Sequence, residues 1–197
     1  KQIRDSLAAL QPDIKDTALA AVGGDTVVVL PKGTPGSFVQ EGKIQEEITV
    51  LENELVRISF SSKGARPVAV ELKNYVSADS QQVKLISGNF NQFSYLVNTG
   101  VNQTTSTEDL YFSPSEVVKN PAGEMSLVYS LKDSTGRMLE HRYMLKANEY
   151  MFGLNIVSEG ADKLFTNNTV NFLWQLQADQ QELDIQTEKR ETQLGLY

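Results

Sequence analysis

The chain has 197 residues, 40% of them hydrophobic, with 18 Lys and Arg against 25 Asp and Glu for a formal charge of −7. A domain of that length buries roughly 70% of its extended-chain surface, so a proper core is available, and the acidic balance argues against binding a run of nucleic-acid phosphates. The absence of cysteine excludes disulfides, thiolate nucleophiles and thiolate metal sites, and the single histidine, His141, excludes any mechanism that needs two imidazoles.

The chain opens on Lys1-Gln-Ile-Arg-Asp-Ser6, with neither a start methionine nor a hydrophobic signal core, and reads as a piece of something longer. Ile3, Leu7 and Leu10 follow a helical spacing too short to be stable alone. Pro12, Gly23-Gly24, Pro31 to Gly36 and Gly42 punctuate the next stretch like a linker, with Thr26 to Leu30 as a short strand inside it. Residues 1–46 are therefore expected to be a flexible or partly helical spacer, and about 30 flexible residues span roughly 30 Å root-mean-square.

From Ile48 the period changes to two. Val56, Ile58 and Phe60 alternate with polar neighbours, and after the turn Ser62-Lys-Gly-Ala65 so do Val68, Val70 and Leu72. The same alternation runs through Met125 to Leu131 and Leu139 to Leu145, joined by the hairpin loop Lys132-Asp-Ser-Thr-Gly136. It returns at Tyr150 to Ile156 and at Val170, Phe172, Trp174 and Leu176. Strands with one apolar face in series predict an antiparallel sandwich or barrel. Gln180 to Arg190 is polar and predicts a helix or an exposed edge, and Gly195-Leu-Tyr197 looks like the middle of another apolar strand. No apolar run approaches the 18 or so residues of a transmembrane helix.

Catalytic motifs are missing: there is no GxGxxG, no GxxxxGK[ST] and no GxSxG. His141 sits on the apolar register of its strand beside Leu139 and Tyr143, which favours a structural role over a catalytic one. The acid pairs Glu46-Glu47, Glu52/Glu54 and Glu108-Asp109 lack calcium-loop spacing and read as solvated strand edges. Asn102-Gln-Thr104 and Asn167-Asn-Thr169 match the short glycosylation pattern, which carries meaning only in a eukaryotic secreted protein. Asn89-Phe-Asn-Gln-Phe-Ser-Tyr95, with Tyr111-Phe112, gathers aromatics among amides, as a sugar-binding face does; the plainer reading makes them alternate core positions. No catalytic, metal-ligating or cofactor-binding residue is assigned, no cofactor is expected, and partner-binding residues are left unassigned.

The stretch from Leu51 to Tyr75 carries a resemblance. Asn53-Glu-Leu55, Ser62-Lys-Gly-Ala65 and Leu72-Lys-Asn-Tyr75 are similar to the opening of the large periplasmic domain of the YidC/Oxa/Alb family of bacterial membrane protein insertases. That opening has an Asn-acidic-Leu strand, a Ser/Thr-Lys-Gly-Gly turn and a strand ending Leu-Lys-x-Tyr. One departure is Ala65, where the family has a second glycine, followed by Arg66-Pro67. Arg142-Tyr143, Tyr150 to Val157 and Leu173-Trp174 resemble later strands of the family, so the likeness covers residues 47–197. The Asn/Gln-rich style resembles its Bacteroidetes members.

The resemblance implies an all-β, antiparallel β-supersandwich related to galactose mutarotases, incomplete at its C-terminal side. It implies a linker at 1–46 that follows a transmembrane helix outside this sequence, then a periplasmic domain at 47–197. Partners implied are the transmembrane part of the same insertase, the Sec translocon with SecDF, and nascent inner-membrane proteins. The family's working groove lies in transmembrane helices not represented here, so no functional residue carries over. The expectation is thus a non-catalytic scaffold or docking domain on the periplasmic face of the inner membrane. The alternatives are a carbohydrate-binding sandwich, in which His141 alone cannot supply a mutarotase-type histidine pair, and a ligand-free envelope domain.

Overall fold

The structure, a computed structural model, describes residues 36–38, 45–86, 88 and 90–192, all within the unit spanning residues 31–197. The helical spacing at Ile3 to Leu10, the strand at Thr26 to Leu30 and the apolar end at Gly195 to Tyr197 lie outside the described residues.

Strands β1 (Ile48–Glu52), β2 (Val56–Ser61), β3 (Arg66–Val76) and β4 (Gln82–Ile86) form one antiparallel sheet in that order. Then come β5 (Gln92–Ser94), β6 (Leu96–Gly100), β7 (Gln103–Ser106), β8 (Ser113–Pro114) and β9 (Val118–Lys119). The second large sheet is built from β10 (Met125–Lys132), β11 (Met138–Leu145) and β12 (Phe152–Glu159), in the order β12-β11-β10-β8 with β9 also on β10. A short helix α1 (Ala161–Leu164), strand β13 (Leu173–Gln175), paired with β5, and helix α2 (Ile185–Glu191) complete the described chain. The expected antiparallel all-β sandwich is what forms, and the polar run after Gln180 supplies a helix whose first turn Asp184 caps through the Gln186 amide.

The alternation explains which faces meet. Register pairs Leu127 with Tyr143, Tyr129 with His141 and Leu131 with Leu139, so these side chains stand on one face of the β10–β11 hairpin, all buried. Across from them lie Val56, Ile58 and Phe60 of β2. The Phe60 and Tyr143 rings are 4.3 Å apart, and the Tyr129 hydroxyl donates to the Phe60 carbonyl at 3.2 Å.

One turn differs from the sequence reading and a second matches it. Asn53-Glu54-Leu55, expected as strand, is the β1–β2 turn. The Asn53 side-chain oxygen accepts from the Leu55 and Val56 amides, and its nitrogen donates to the Lys146 and Glu149 carbonyls beyond β11. An amide that caps its own turn and reaches the opposite sheet suits a turn better than a strand. The Ser62–Ala65 turn is present despite the missing second glycine: Gly64 has φ +78° and Ala65 φ +48°, both left-handed. For alanine that conformation costs roughly 1–2 kcal/mol.

Compensation comes from what the turn touches. The Ala65 carbonyl accepts from the Tyr143 hydroxyl at 2.6 Å and from His141 Nδ1 at 2.9 Å. With Nδ1 carrying the proton, Nε2 accepts from the Tyr95 hydroxyl at 2.7 Å, so the imidazole is neutral and fully used. Rings of Phe112, Tyr95, Phe93 and Tyr143 surround it at 5.1 to 6.4 Å. Burial in that apolar cage pushes the His141 pKa down to about 4, against a smaller opposing pull from the Ala65 carbonyl.

Two outcomes are expected. Tyr143→Phe leaves the packing but removes a buried donor, and should cost roughly 1–3 kcal/mol in denaturant unfolding. The unfolded chain protonates His141 near pH 6.5 and the folded chain only near 4, so the unfolded state binds more protons in that window. Stability should therefore fall by on the order of 3 kcal/mol as pH drops from 6.5 to 4. His141→Gln should flatten that segment of the pH profile, and an equal slope in both proteins would contradict the assignment.

Candidate functional site

The residues that the sequence offers for chemistry are mostly occupied by structure. His141 is enclosed in the core. Glu46 accepts from the Ser61 hydroxyl, Glu52 pairs with Lys73 at 2.8 Å and Arg57 at 3.7 Å, and Glu108-Asp109 sit in a short 3-10 turn. The hydrogen bond from Lys73 is the main reason the Glu52 carboxyl lies below its usual range. Among the described residues, no group of three or more His, Cys, Asp or Glu is placed to hold a metal ion. The aromatic–amide segment resolves mainly into core positions: Phe93, Tyr95 and Phe112 are buried, Tyr111 is half-buried, and Phe90 is exposed. The Asn91 side-chain oxygen accepts from the Gln177 amide at 2.9 Å, which ties the chain after β13 to the start of β5.

An edge strand or a groove is the expected contact surface, with no residues assigned to it; the structure contains such a groove. Its floor is Val70, Ile86 and Phe93, all buried, and its walls are Leu85, Tyr150, Met151, Phe172, Trp174 and Leu176, all exposed. Phe152 and Leu154 of β12 close one side. The volume is about 470 Å³ and no lining residue is charged. Phe93 holds the aromatic wall: Phe172 meets it edge-on at 4.7 Å and Trp174 at 6.0 Å, through the β5–β13 pairing that sets Trp174 opposite Phe93. Met151 remains 79% exposed and Trp174 56% exposed, so large apolar surface stays in water.

The groove borders a sheet edge that is unpaired among the described residues. Among the described residues β12 pairs only with β11, in register from Leu145 opposite Phe152 to Met138 opposite Glu159. Leu145, Tyr143 and His141 are buried, yet their partners Phe152, Leu154 and Ile156 on the same face are only half covered or exposed. A row of backbone amides and carbonyls with no strand partner among the described residues thus runs beside apolar walls, the arrangement that accepts an added strand. The run Val170 to Leu176, read as one long core strand, forms only the three residues of β13 and contributes to these walls instead. Its density of large apolar side chains was visible in the sequence; their exposure was not. A second hollow of about 800 Å³, between β3–β4 and α2, has an acidic rim, including Glu182, Asp184 and Glu191. There the Glu188 carboxylate accepts from the Gln181 amide at 3.1 Å, holding α2 in place.

Comparison with known proteins agrees with this architecture. A family model described as the YidC periplasmic domain matches residues 48–194. Proteins named membrane protein insertase YidC are similar to the chain. That of Phocaeicola vulgatus is 28% identical, over 98% of this chain and 31% of its own. That of Parabacteroides distasonis is 30% identical, over 70% of this chain and 21% of its own. That of Bacteroides fragilis is 30% identical, over 78% and 24%. The chain therefore spans about a third or less of the length of these relatives. No solved structure matches. No helix among the described residues is long and apolar enough to cross a membrane. With its sandwich matched from β1 to beyond α2, the chain belongs to the family of YidC periplasmic domains.

Proposed function

We propose that this domain serves an inner-membrane protein insertase as a non-catalytic docking surface on the periplasmic side, and that docking occurs at the groove beside β12. The observation that carries the reading is the uncharged, water-exposed groove next to a strand edge unpaired among the described residues, in a chain of this family. Backbone pairing along β12 supplies affinity, and Trp174, Phe172 and Met151 supply anchoring pockets. The partners fitting such a surface are extended segments of nascent inner-membrane proteins, the transmembrane part of the same insertase, and components of the Sec translocon with SecDF. Residues 1–46 act in this reading as the tether from a transmembrane helix, and residues 47–197 as the periplasmic sandwich. The non-catalytic character is supported by the full use of His141 in the core.

A carbohydrate-binding role finds less support. The buried Phe93, Tyr95 and Phe112 offer no open ring to a sugar, and the groove lining contains no amide to read hydroxyls.

A photocrosslinker placed at Met151 or Trp174 of the full-length protein in membranes should capture translocon subunits or nascent membrane proteins. The same probe at Val101, 91% exposed on the β6–β7 turn, should not. Trp174→Asp together with Leu176→Asp should abolish capture while shifting the melting temperature by only a few degrees, since both side chains are about half in water and neither belongs to the buried core. Equal capture at Val101 and at the groove would refute the assignment.

A further inference from the structure

Residues Gly36–Phe38 lie inside the segment expected to be linker, yet they form a 3-10 turn fastened to the sandwich. Phe38 is buried in the main core. The Ser37 hydroxyl donates to the Thr99 carbonyl of β6 at 2.9 Å. Gly36 has φ +53°, and a Cβ there would stand 2.3 Å from the Thr99 carbonyl oxygen, so only glycine fits the docked position.

The fastening converges on Arg137, in the β10–β11 hairpin. Its Nε donates to Asp133 at 2.6 Å, its Nη1 to the Asn98 carbonyl at 3.0 Å, and its Nη2 to Asp133 and to the Ser37 hydroxyl. The guanidinium face covers the Phe38 ring at 5.2 Å. Asp133 is held in turn by the Thr135 and Arg137 amides, both at 2.9 Å. Each of the three nitrogens of the planar fork is therefore used, which a lysine's point charge cannot reproduce. Gly160 packs against the stem, where an added Cβ would meet Arg137 Cγ at 3.2 Å.

We infer that Gly36–Phe38 is a strap and Arg137 its catch, so that the chain upstream is anchored to the sandwich at the β6 and β10–β11 turn, not at the start of β1. The meaning of the strap rests on residues 1–46 being the tether proposed above. With the catch closed, the tether is fixed at Gly36. With it open, the next described attachments are Glu46 to Ser61 and the Glu47 amide to Ser62, ten residues on (46 − 36). Ten residues add up to roughly 33 Å of reach when extended. The catch therefore sets both where the tether leaves the domain and how far the domain stands from its attachment.

The test is chymotrypsin cleavage after Phe38 in the 197-residue chain, read site by site by mass spectrometry under native conditions. Wild type should be cut there far more slowly than a synthetic peptide of residues 31–45. Gly36→Ala, whose added Cβ collides with the Thr99 backbone of β6 while Phe38 and Arg137 keep their identities, should accelerate cutting by roughly tenfold or more with the melting transition retained. Arg137→Met should do the same and Arg137→Lys should restore protection only in part. Cleavage of wild type as fast as the peptide, or no acceleration in Gly36→Ala, overturns the strap. The readout does not involve the groove, so failure of docking and failure of the strap are separately visible.

Discussion

The structure depends on one carbonyl. The oxygen of Ala65 sits on a left-handed turn between two strands of the first sheet, and two side chains of the second sheet, Tyr143 and His141, reach across the core to it. A sandwich held by side-chain burial alone can slide; here two buried hydrogen bonds fix one sheet's turn against the other sheet's register. The same contact explains why a strained alanine is tolerated, since its backbone oxygen must point inward and the residue is wholly buried. It also explains why the only imidazole is unavailable for chemistry.

From that point the packing is lopsided. Around Ala65, aromatic rings close the space between the sheets, whereas towards β12 the cover thins. Strand for strand, the inward residues of β11 are buried and those of β12 are not. The short ribbon β5–β13 pairs Phe93 with Trp174 but, among the described residues, does not pair with the β12 edge. Firm anchoring at one side and uncovered apolar surface at the other suit the docking role proposed above: a rigid frame, and a face with large apolar side chains left in water.

Much of the frame was legible in the residue pattern. The period-two runs at β2, β3, β10 and β11, the hairpin at Lys132–Gly136 and the inward register of His141 follow from alternation and turn chemistry alone. Asn53 was placed in a strand on the family resemblance, while its capping bonds to Lys146 and Glu149 depend on chain almost a hundred residues away. The strap was hidden for a similar reason: Gly and Pro around Phe38 look like linker, and only Arg137, far along the chain, makes them a docked turn. The groove's residues were out of reach because periodicity says which residues are apolar, not which of them find cover. Phe93 and Trp174 are directly paired, yet one is the floor and the other faces water.

That last pairing has a spectroscopic side. Trp174 is the chain's single tryptophan, and it stands on the groove wall instead of in the core. Its indole emission reports the polarity of the groove, not the collapse of the sandwich. Unfolding followed by tryptophan fluorescence alone would understate the cooperative transition of the two sheets, whereas filling of the groove would move the emission to shorter wavelength with no change in fold. The molecule thus carries an optical probe of occupancy at a surface where its apolar side chains await cover.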